Sequence, residues 1–403
     1  MRRKKVLIVS PCILPIPAVK GGAVLTLIES IVAQNEIYNK MDLTVVGSYN
    51  EEAAERAKKY KNTNFIYING LESYELKDSI LDSFLNVIKH NNKKHQYLWK
   101  IRVIREVKKI LLSSEYDRII LQNSGYLLNV LKDSQVRKKV QGKVFYHLHN
   151  DIPDNVNIDA VKECNLLLIS KYLLTKVNDI CKNDMEPKSV ILRNGFNVNL
   201  FLQEFTEEEK CYIREKLGIE KNKKVIIYTG RINKNKGISE LVSAFTKINR
   251  DDLVLLIVGS HNFGSKQTSR FEIDLKEKIS KLGKKIVFTG FVPYNEIWKY
   301  YRIADLAVLP SVWEEPAGLT MLEAVASKVP LITTYSGGIP EYLPDDMVTF
   351  IGRDNLIKNI ETEICNIVDH LQDYSFRTEK ACEYVINNYS EEKYYNNLLK
   401  ALE

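Results

Sequence analysis

The sequence has few cysteines, and their spacing builds no metal or disulfide site. Its six cysteines are never closer than 17 residues, which excludes a C-x-x-C pair, a zinc knuckle and a compact disulfide framework. We interpret them as reduced, buried thiols of a cytoplasmic protein. No apolar run reaches the length of about 18 residues that a membrane-spanning helix needs. Pro11 and Pro15 interrupt the apolar stretch that follows the basic start Arg2–Lys5, which argues against a secretory signal.

Several nucleotide and metal motifs are missing as well. The chain has no Walker A sequence and no G-x-G-x-x-G, so neither a P-loop nor a dinucleotide fingerprint is indicated. It has no D-x-D pair, so a divalent metal on a nucleotide donor finds no obvious ligands. We therefore expect neither a metal nor a cofactor. His147 and His149 share a strand face, which leaves a two-histidine metal site open beside a structural role.

The chain does have the length and the periodicity of two α/β domains. Its 403 residues are 45% hydrophobic and 27% charged, which is typical of globular proteins. Short β-branched runs alternate with helix-length segments in two series, and this predicts parallel sheets built from βαβ units. The predicted strands are Val6–Val9, Leu43–Val46, Asn64–Ile68, Arg118–Leu121, Val144–Leu148, Leu166–Ile169 and Val190–Leu192, then Val225–Thr229, Leu253–Val258, Ile286–Thr289, Leu306–Leu309 and Leu331–Thr334.

The two series predict two Rossmann-like, doubly wound domains whose boundary lies near Asn194–Lys224, where the turn signal Asn194-Gly195 is followed by a charged stretch. We expect the first domain to cover residues 1–196 and the second to cover residues 197–387. Apolar residues at helical spacing near the end of the sequence predict a terminal helix over about 388–403. We expect this helix to join the first domain.

The positive charge is concentrated in one segment. The chain has a net charge of +7, and Phe84–Leu112 alone carries eight lysines and arginines against the single acid Glu106. Aromatic and aliphatic residues interleave with these charges, a pattern that can lie on an anionic membrane surface. A surface helix with a solvated basic face explains the pattern equally well. No RRM, KH or zinc signature accompanies it, so nucleic acid is not an expected partner.

The strongest functional signal follows the predicted strand Leu306–Leu309. Glu315 and Glu323 are separated by seven residues, and Gly318 marks the point where a loop turns into a helix. A helix start offers unpaired amides and a positive dipole end to a diphosphate, without a metal. Glu323, about one turn inside, can accept hydrogen bonds from both hydroxyls of a ribose, and Glu315 can meet sugar hydroxyls. The alternative is a capped helix with two surface acids.

Two further strand-end loops precede helices. In Gly230–Gly237 the first glycine permits a tight turn, and Arg231 and Lys236 can converge on phosphate. Fixed cations stabilise the negative charge that grows on a departing nucleoside diphosphate. The alternative is a basic surface loop. The pair Gly21-Gly22 permits close backbone approach to a ligand, although a plain strand-to-helix turn explains it as well.

Taken in order, these motifs resemble glycosyltransferase family 4, whose members are retaining enzymes of GT-B architecture. The opening Pro15–Ala23 is similar to the subgroup that includes spore-coat and capsule glycosyltransferases. The resemblance implies an α/β fold in which two Rossmann-like domains face each other across a cleft that holds the donor. The similar pieces are the P-x-x-x-G-G loop, the strand-end histidine, Val190–Phe201, Gly230–Gly237, Phe288–Val292, Ala304-Asp305, the E-x₇-E segment and Gly337–Glu341.

The resemblance also implies a role for each site residue. Arg231 and Lys236 would bind the donor diphosphate. Glu323 would hold the ribose, and Glu315 would hold the donor sugar. His149 would touch the donor sugar near the reacting carbon, and its place at the strand end favours it over His147. The catalytic set would be His149, Glu315, Arg231 and Lys236, and further donor contacts would come from Gly21, Gly22, Gly230, Phe291, Val292, Gly318, Leu319 and Thr320.

The function implied is transfer of a hexose-type sugar from a nucleoside diphosphate donor, with UDP favoured, to a saccharide or lipid-linked oligosaccharide. The second domain would bind the donor and the first the acceptor, in cell-surface polysaccharide synthesis at the cytoplasmic membrane face. Ala317 replaces a frequent aromatic residue and Glu314 adds a second acid, and both can reshape the sugar pocket. Two alternatives share this architecture: a nucleotide-sugar epimerase, which needs no acceptor, and a non-catalytic scaffold that binds nucleotide sugar.

Overall fold

A computed structural model describes residues 2–71, 98–153, 156–182, 185–260, 269–280 and 286–403. The chain divides into two compact units. Unit 1 comprises residues 1–194 together with 394–403, and unit 2 comprises residues 195–393.

Within the described residues, unit 1 has a seven-stranded parallel sheet in the order β3-β2-β1-β4-β5-β6-β7. Its strands are β1 Lys4–Val9, β2 Met41–Ser48, β3 Thr63–Ile68, β4 Arg118–Gln122, β5 Val144–Leu148, β6 Asn165–Leu168 and β7 Ser189–Ile191. Its helices are α1 Ala23–Tyr38, α2 Glu51–Ala57, α3 Leu98–Ser113, α4 Ser134–Val140, α5 Ile158–Glu163 and α6 Lys171–Cys181.

The centre of this sheet is β1, which pairs in parallel with β2 on one side and β4 on the other. Its last four residues, Val6 to Val9, are completely buried. A parallel strand that is covered on both faces needs apolar side chains on both faces, so its sequence is continuously hydrophobic rather than alternating. This is why the run is readable as a buried strand.

Within the described residues, unit 2 has a six-stranded parallel sheet in the order β10-β9-β8-β11-β12-β13. Its strands are β8 Lys224–Thr229, β9 Leu253–Val258, β10 Ile286–Gly290, β11 Leu306–Leu309, β12 Leu331–Thr334 and β13 Thr349–Ile351. Its helices are α7 Val198–Phe201, α8 Glu207–Lys216, α9 Ile238–Phe245, α10 Arg270–Ser280, α11 Ile297–Arg302, α12 Leu319–Ala326, α13 Leu356–Asp369 and α14 Ser375–Tyr389.

The last helix, α15 Glu391–Ala401, ends in unit 1. Tyr394, Tyr395 and Leu398 are buried there against the core that α1 and β1 share. The hydroxyl of Tyr395 donates to Asn35 Oδ1 over 2.7 Å. Lys4 Nζ, at 2.9 Å from the carbonyl oxygen of Leu402, supplies positive charge at the carboxyl end of the helix, where the helix dipole favours it.

The predicted fold class is confirmed, since two all-parallel sheets with intervening helices are present. Each of the twelve predicted strands is present within one or two residues of its predicted ends. The sequence missed β13, which has only three residues and pairs with β12 at the sheet edge.

The basic segment Phe84–Leu112 is described only in part, since residues 84–97 lie outside the described residues. Its remainder forms α3, which buries Trp99, Val103 and Val107 at four-residue spacing against unit 1. Lys109 pairs with Glu106 on the same helix. Membrane contact by this segment stays a prediction. Among the described residues, no helix is long and apolar enough to cross a bilayer.

Candidate active site

A shallow pocket lies at the carboxyl edge of the unit 2 sheet and opens to solvent. It lies where the chain order of the strands reverses, between the neighbours β8 and β11. Ligands of doubly wound sheets bind outside the carboxyl ends of the strands at this reversal. The pocket is lined by Tyr228, Thr229, Lys236, Leu309, Ser311, Glu315, Gly318, Thr320, Met321, Thr333 and Ile339. Four of the predicted donor-site residues therefore meet in one place: Lys236, Glu315, Gly318 and Thr320.

Lys236 and Glu315 form an ion pair in this pocket, between Nζ and Oε1. The second carboxylate oxygen of Glu315 accepts a hydrogen bond of 3.0 Å from the hydroxyl of Ser311. Both charged side chains are largely buried. Partly buried charges attract more strongly than exposed ones, so this pair fixes both side chains at the pocket wall. The sequence analysis assigned Lys236 and Glu315 to the same donor molecule but did not predict their direct contact.

The loops that carry these two residues are tied together along their backbones. The amide of Val312 donates to the carbonyl oxygen of Asn235 over 3.0 Å. At Gly237, φ is +68°, and a Cβ there would lie only 1.9 Å from the carbonyl oxygen of Pro310. Only glycine permits this approach. The close contact brings the Lys236 loop against the strand-end loop that carries Glu315.

The helix α12 begins beside this ion pair. Gly318 is its N-cap residue and has no side chain to satisfy the amides of the first turn. The amides of Leu319 and Thr320 belong to that turn, where an α-helix has no internal acceptor and its dipole is positive. The start of α12 can therefore stabilise an anion beside Lys236.

Glu314 faces away from the pocket. Its carboxylate accepts a hydrogen bond from the amide of Gly337 and pairs with Arg353. The amide of Gly338 donates to the carbonyl oxygen of Glu315 over 2.7 Å. These contacts attach the acidic loop to the loop after β12. Glu314, the additional acid beside Glu315, is thus a loop contact and is not part of the pocket lining.

Glu323 lies inside α12 and is buried. Its Oε2 lies 3.3 Å from the hydroxyl of Tyr301, and the hydroxyl of Tyr294 is a second donor. Burial raises the pKa of Glu323 from 4.5 to about 7, and the two tyrosine hydrogen bonds oppose this rise. A carboxyl group with this pKa changes its charge near neutral pH. Glu323 lies outside the pocket lining.

Replacing Glu323 by glutamine should make folding stability less sensitive to pH. Because burial raises the folded-state pKa from 4.5 to about 7, the folded state binds more protons in that window, and stability falls as pH rises through it. The rise corresponds to an ionisation penalty on the order of 3 kcal/mol, fully present at pH 8. We expect E323Q to melt above the wild type at pH 8 and close to it at pH 5, measured by differential scanning calorimetry.

The matched control for that variant is E383Q, since Glu383 is an exposed glutamate on α14. Its melting temperature should follow the wild type at both pH values. Equal pH dependence of E323Q and the wild type would show that the carboxyl of Glu323 does not titrate in this window.

The other predicted donor contacts of unit 2 lie outside the pocket lining. Arg231 is exposed, and among the described residues its guanidinium has no ion pair or hydrogen bond. Gly230, at φ +140°, begins the same loop. Phe291 is exposed and, like Val292, follows β10 at the outer edge of the sheet. The structure therefore brings Lys236 and Glu315 into contact, whereas the side chain of Arg231 is exposed to solvent.

His149 lies in unit 1, directly after β5, and is buried. Its Nε2 lies 3.1 Å from Gln122 Oε1, and its amide donates to Asn123 Oδ1 over 2.9 Å. Burial lowers the pKa of His149 to about 3, against a hydrogen bond with Asn194 that raises it. Its ring therefore stays neutral, and the ring of His147 packs against it at 4.1 Å between centroids. No metal-binding group of three or more His, Cys, Asp or Glu side chains occurs in the described part of the chain.

Gly21 and Gly22 precede α1 in unit 1, with φ of +72° and +103°. Gly22 is the N-cap residue of α1 and has no capping side chain. The amide of Ala18 donates to Glu29 Oε2 over 3.0 Å, so the helix itself holds the preceding loop. At both positions the backbone has a positive φ, which residues other than glycine rarely adopt, so this loop requires glycine there.

Sequence reasoning missed three polar side chains of the unit 2 site: Ser311, Thr229 and Tyr301. Ser311 lies just before the predicted acidic motif, and its proximity to Glu315 in the sequence is the signal that could have identified it as a site residue. Thr229 is the last residue of a predicted strand, so its sequence context indicates a position in the sheet and no role in the site. Tyr301 lies on α11 and is brought to Glu323 only by the packing of two helices, which no local pattern reports.

Two Rossmann-like units are the architecture of the GT-B fold, and a solved glycosyltransferase from Rickettsia africae shares the fold of this chain, with a TM-score of 0.78 at 19% identity over 100% of this chain and 98% of that one. The family described as Glycosyl transferases group 1 matches residues 210–369, within unit 2.

The chain is also similar to named proteins and to a further solved structure. An uncharacterised glycosyltransferase of Methanocaldococcus jannaschii is 31% identical over 240 residues, 59% of this chain and 57% of that protein, so the chain spans less than two thirds of that relative. Spore coat protein SA of Bacillus subtilis is 23% identical over 351 residues, 85% of this chain and 83% of that protein. The crystal structure of Anabaena HepE in complex with UDP-glucose has a TM-score of 0.72 at 17% identity and covers 99% of both chains. At that identity the likeness concerns the fold.

Proposed function

We propose that this chain transfers a hexose-type sugar from a nucleoside diphosphate donor to a saccharide or lipid-linked oligosaccharide, with retention at the anomeric carbon. The observation that supports this most is the convergence of the Lys236–Glu315 pair and the start of α12 on one pocket. In this proposal the diphosphate takes Lys236 as its counter-ion and receives the first amides of α12. Among the nucleoside diphosphates we favour UDP, because HepE was solved with UDP-glucose.

Catalysis in this proposal is electrostatic. The leaving diphosphate gains negative charge as the bond between the anomeric carbon and the phosphate oxygen of the donor breaks, and a fixed ammonium and oriented amides stabilise that charge. Arg231, exposed and without a protein partner among the described residues, is available as a second cation for the same phosphates. The charge is balanced by side chains, so we propose that donor binding needs no divalent ion.

The remaining assignments extend the same proposal. Glu315 would release Lys236 and accept hydrogen bonds from the donor sugar, while Glu323 would accept them from the ribose. Phe291 and Val292 would contact the base. In unit 1, His149 would face the donor sugar as a neutral hydrogen-bonding group, with Gly21 and Gly22 near the diphosphate. The acceptor would bind to unit 1, and a lipid-linked acceptor would place the enzyme at the inner membrane face.

Nucleoside diphosphates should raise the melting temperature of the protein. At a concentration of 100 times Kd, a ligand stabilises the folded state by about 2.7 kcal/mol. For a unit of this size that corresponds to about 5–10 °C. We expect UDP to give this shift in a thermal-shift screen against GDP, dTDP and ADP, and we expect EDTA to leave it unchanged.

Inorganic phosphate at the same concentration is the control, since it carries charge without a base or ribose. Shifts no larger than that of phosphate for every nucleoside diphosphate would contradict the proposed donor. Once a donor sugar is found, NMR of the anomeric proton in the product tests retention. Donor consumed without any acceptor would instead indicate epimerisation or hydrolysis.

A further inference from the structure

The buried carboxyl of Glu323 is held by side chains that lie outside the predicted site. Tyr301 is completely buried on α11, and its hydroxyl lies 3.3 Å from Glu323 Oε2. Tyr294, in the 3₁₀ turn that precedes α11, is the second hydroxyl that contacts the same carboxyl. Neither tyrosine belongs to the pocket lining. The carboxyl therefore meets two hydroxyl donors from the protein before any ligand arrives.

The hydroxyl of Tyr301 also reaches the pocket wall. It contacts Thr229 Oγ1 and lies 3.1 Å from the carbonyl oxygen of Thr320, and both threonines line the pocket. A phenol has one proton to donate and can accept from a second hydroxyl. If Thr229 donates to Tyr301, the single proton of Tyr301 is shared between the carbonyl oxygen of Thr320 at 3.1 Å and Glu323 Oε2 at 3.3 Å. The three side chains then form one chain of hydrogen bonds from the pocket wall to the buried carboxyl.

We propose that Tyr301 is a positioning residue that orients the carboxylate of Glu323 and favours its ionised form as the acceptor for ribose hydroxyls, so that nucleotide binding weakens when Glu323 is protonated. This inference rests on the proposed function, since it assigns the ribose to Glu323. A protonated carboxyl loses one acceptor oxygen and competes with the ribose as a donor. Loss of the tyrosine hydroxyl removes the bond that favours the ionised form.

Within the described residues, few other groups around α12 can shift the protonation equilibrium of Glu323. The neighbouring β11, β12 and α7 carry no titratable side chain. From α14, the thiol of Cys382 faces α12 and donates to the carbonyl oxygen of Ala326, and burial raises its pKa, so it stays neutral. Lys328 and Glu379 pair with each other at the surface beyond it. Tyr301 and Tyr294 are thus the polar groups that act on Glu323 from within the described residues.

The test compares UDP binding by Y301F with the wild type between pH 5.5 and 9 by isothermal titration calorimetry. We expect the wild-type Kd to rise about tenfold per pH unit once pH falls below the pKa of Glu323. In Y301F the midpoint should move upward by about one pH unit, which makes binding about fivefold weaker at pH 7, about tenfold weaker below pH 6 and nearly equal to the wild type at pH 9. Y300F, a change of the adjacent tyrosine on the same helix, is the matched control and should follow the wild type.

A merely structural role for Tyr301 would weaken UDP binding by the same factor at every pH, and that result would overturn the proposal. So would a Y301F profile identical to the wild type. A second readout needs no ligand: the carboxyl ¹³C signal of Glu323 in the free protein should titrate at higher pH in Y301F. If that titration moves while UDP fails to bind the wild type, the hydrogen-bond coupling stands and the donor assignment is wrong. T229V, which removes the hydroxyl beside Tyr301, should move the titration in the same direction by less.

Discussion

Replacing Lys236 by alanine should lower kcat/KM by about 10²–10³-fold with the chain still folded. This is the usual loss when one preorganised group that stabilises transition-state charge is removed. Lys236 is the cationic side chain of the pocket lining, and it is held there by Glu315 before the donor binds. The measurement is initial-rate kinetics of donor consumption, with the folded fraction determined from the melting curve of each preparation.

The control for this variant is K234A. Lys234 lies on the same 3₁₀ turn two residues earlier, carries the same charge and is exposed to solvent. If general positive potential steered the donor, both variants would lose activity to a similar degree, and the loss would fade at high salt. A site role predicts a large loss for K236A and little change for K234A. Unchanged kcat/KM in K236A would remove Lys236 from the active site.

The pairing of Lys236 with Glu315 adds a second consequence for the same experiment. In the alanine variant, Glu315 keeps its hydrogen bond from Ser311 but loses its counter-ion in a largely buried position. An unpaired buried carboxylate is destabilising. The double variant K236A/E315Q isolates the effect on stability, since it should recover the melting temperature, whereas its activity should stay low because Glu315 is itself a proposed donor contact. Recovery of activity as well would mean that K236A acts through local misfolding.

The fold was readable from the sequence because its strands are buried on both faces. β1 and β9 are continuous apolar runs, and runs of this kind, separated by helix-length segments, leave few architectures open. β13 lacks such a continuous apolar run, because Thr349 and Phe350 are only partly buried at the sheet edge. An edge strand needs apolar residues on fewer positions, so its sequence is weakly constrained.

The site was readable only where its chemistry lies on loops at strand ends. Lys236, Glu315 and Gly318 each follow a strand of one parallel sheet, and topology alone brings such loops to one edge. Tyr301 is invisible to that reasoning because it reaches Glu323 through the packing of α11 against α12. The outward turn of Glu314 depends on Arg353, nearly forty residues further along the chain. Contacts between distant helices and loops need the three-dimensional structure.

The carboxyl-terminal helix is expected to be indispensable for unit 1. Deleting residues 391–403 removes Tyr394, Tyr395, Leu398 and Leu402, all buried in the core cluster that contains β1 and α1. At about 1.5–3 kcal/mol for each buried large side chain, the loss is comparable with the 5–15 kcal/mol that stabilises a typical domain. Asn35 also loses the hydroxyl of Tyr395, which donates to it in the interior. We expect the truncated chain to lose the cooperative unfolding transition of unit 1 in calorimetry.

A graded pair of point variants tests whether packing is the cause. Leu398 is completely buried, and L398A should destabilise unit 1 by about 2–5 kcal/mol through lost contacts and a residual cavity. Asn396 is exposed on the same helix, so N396A should change stability by no more than about 0.5 kcal/mol. Denaturant unfolding measures both. If L398A and N396A were equally stable, α15 would not be part of the unit 1 core, and the truncated chain should then unfold like the full-length protein.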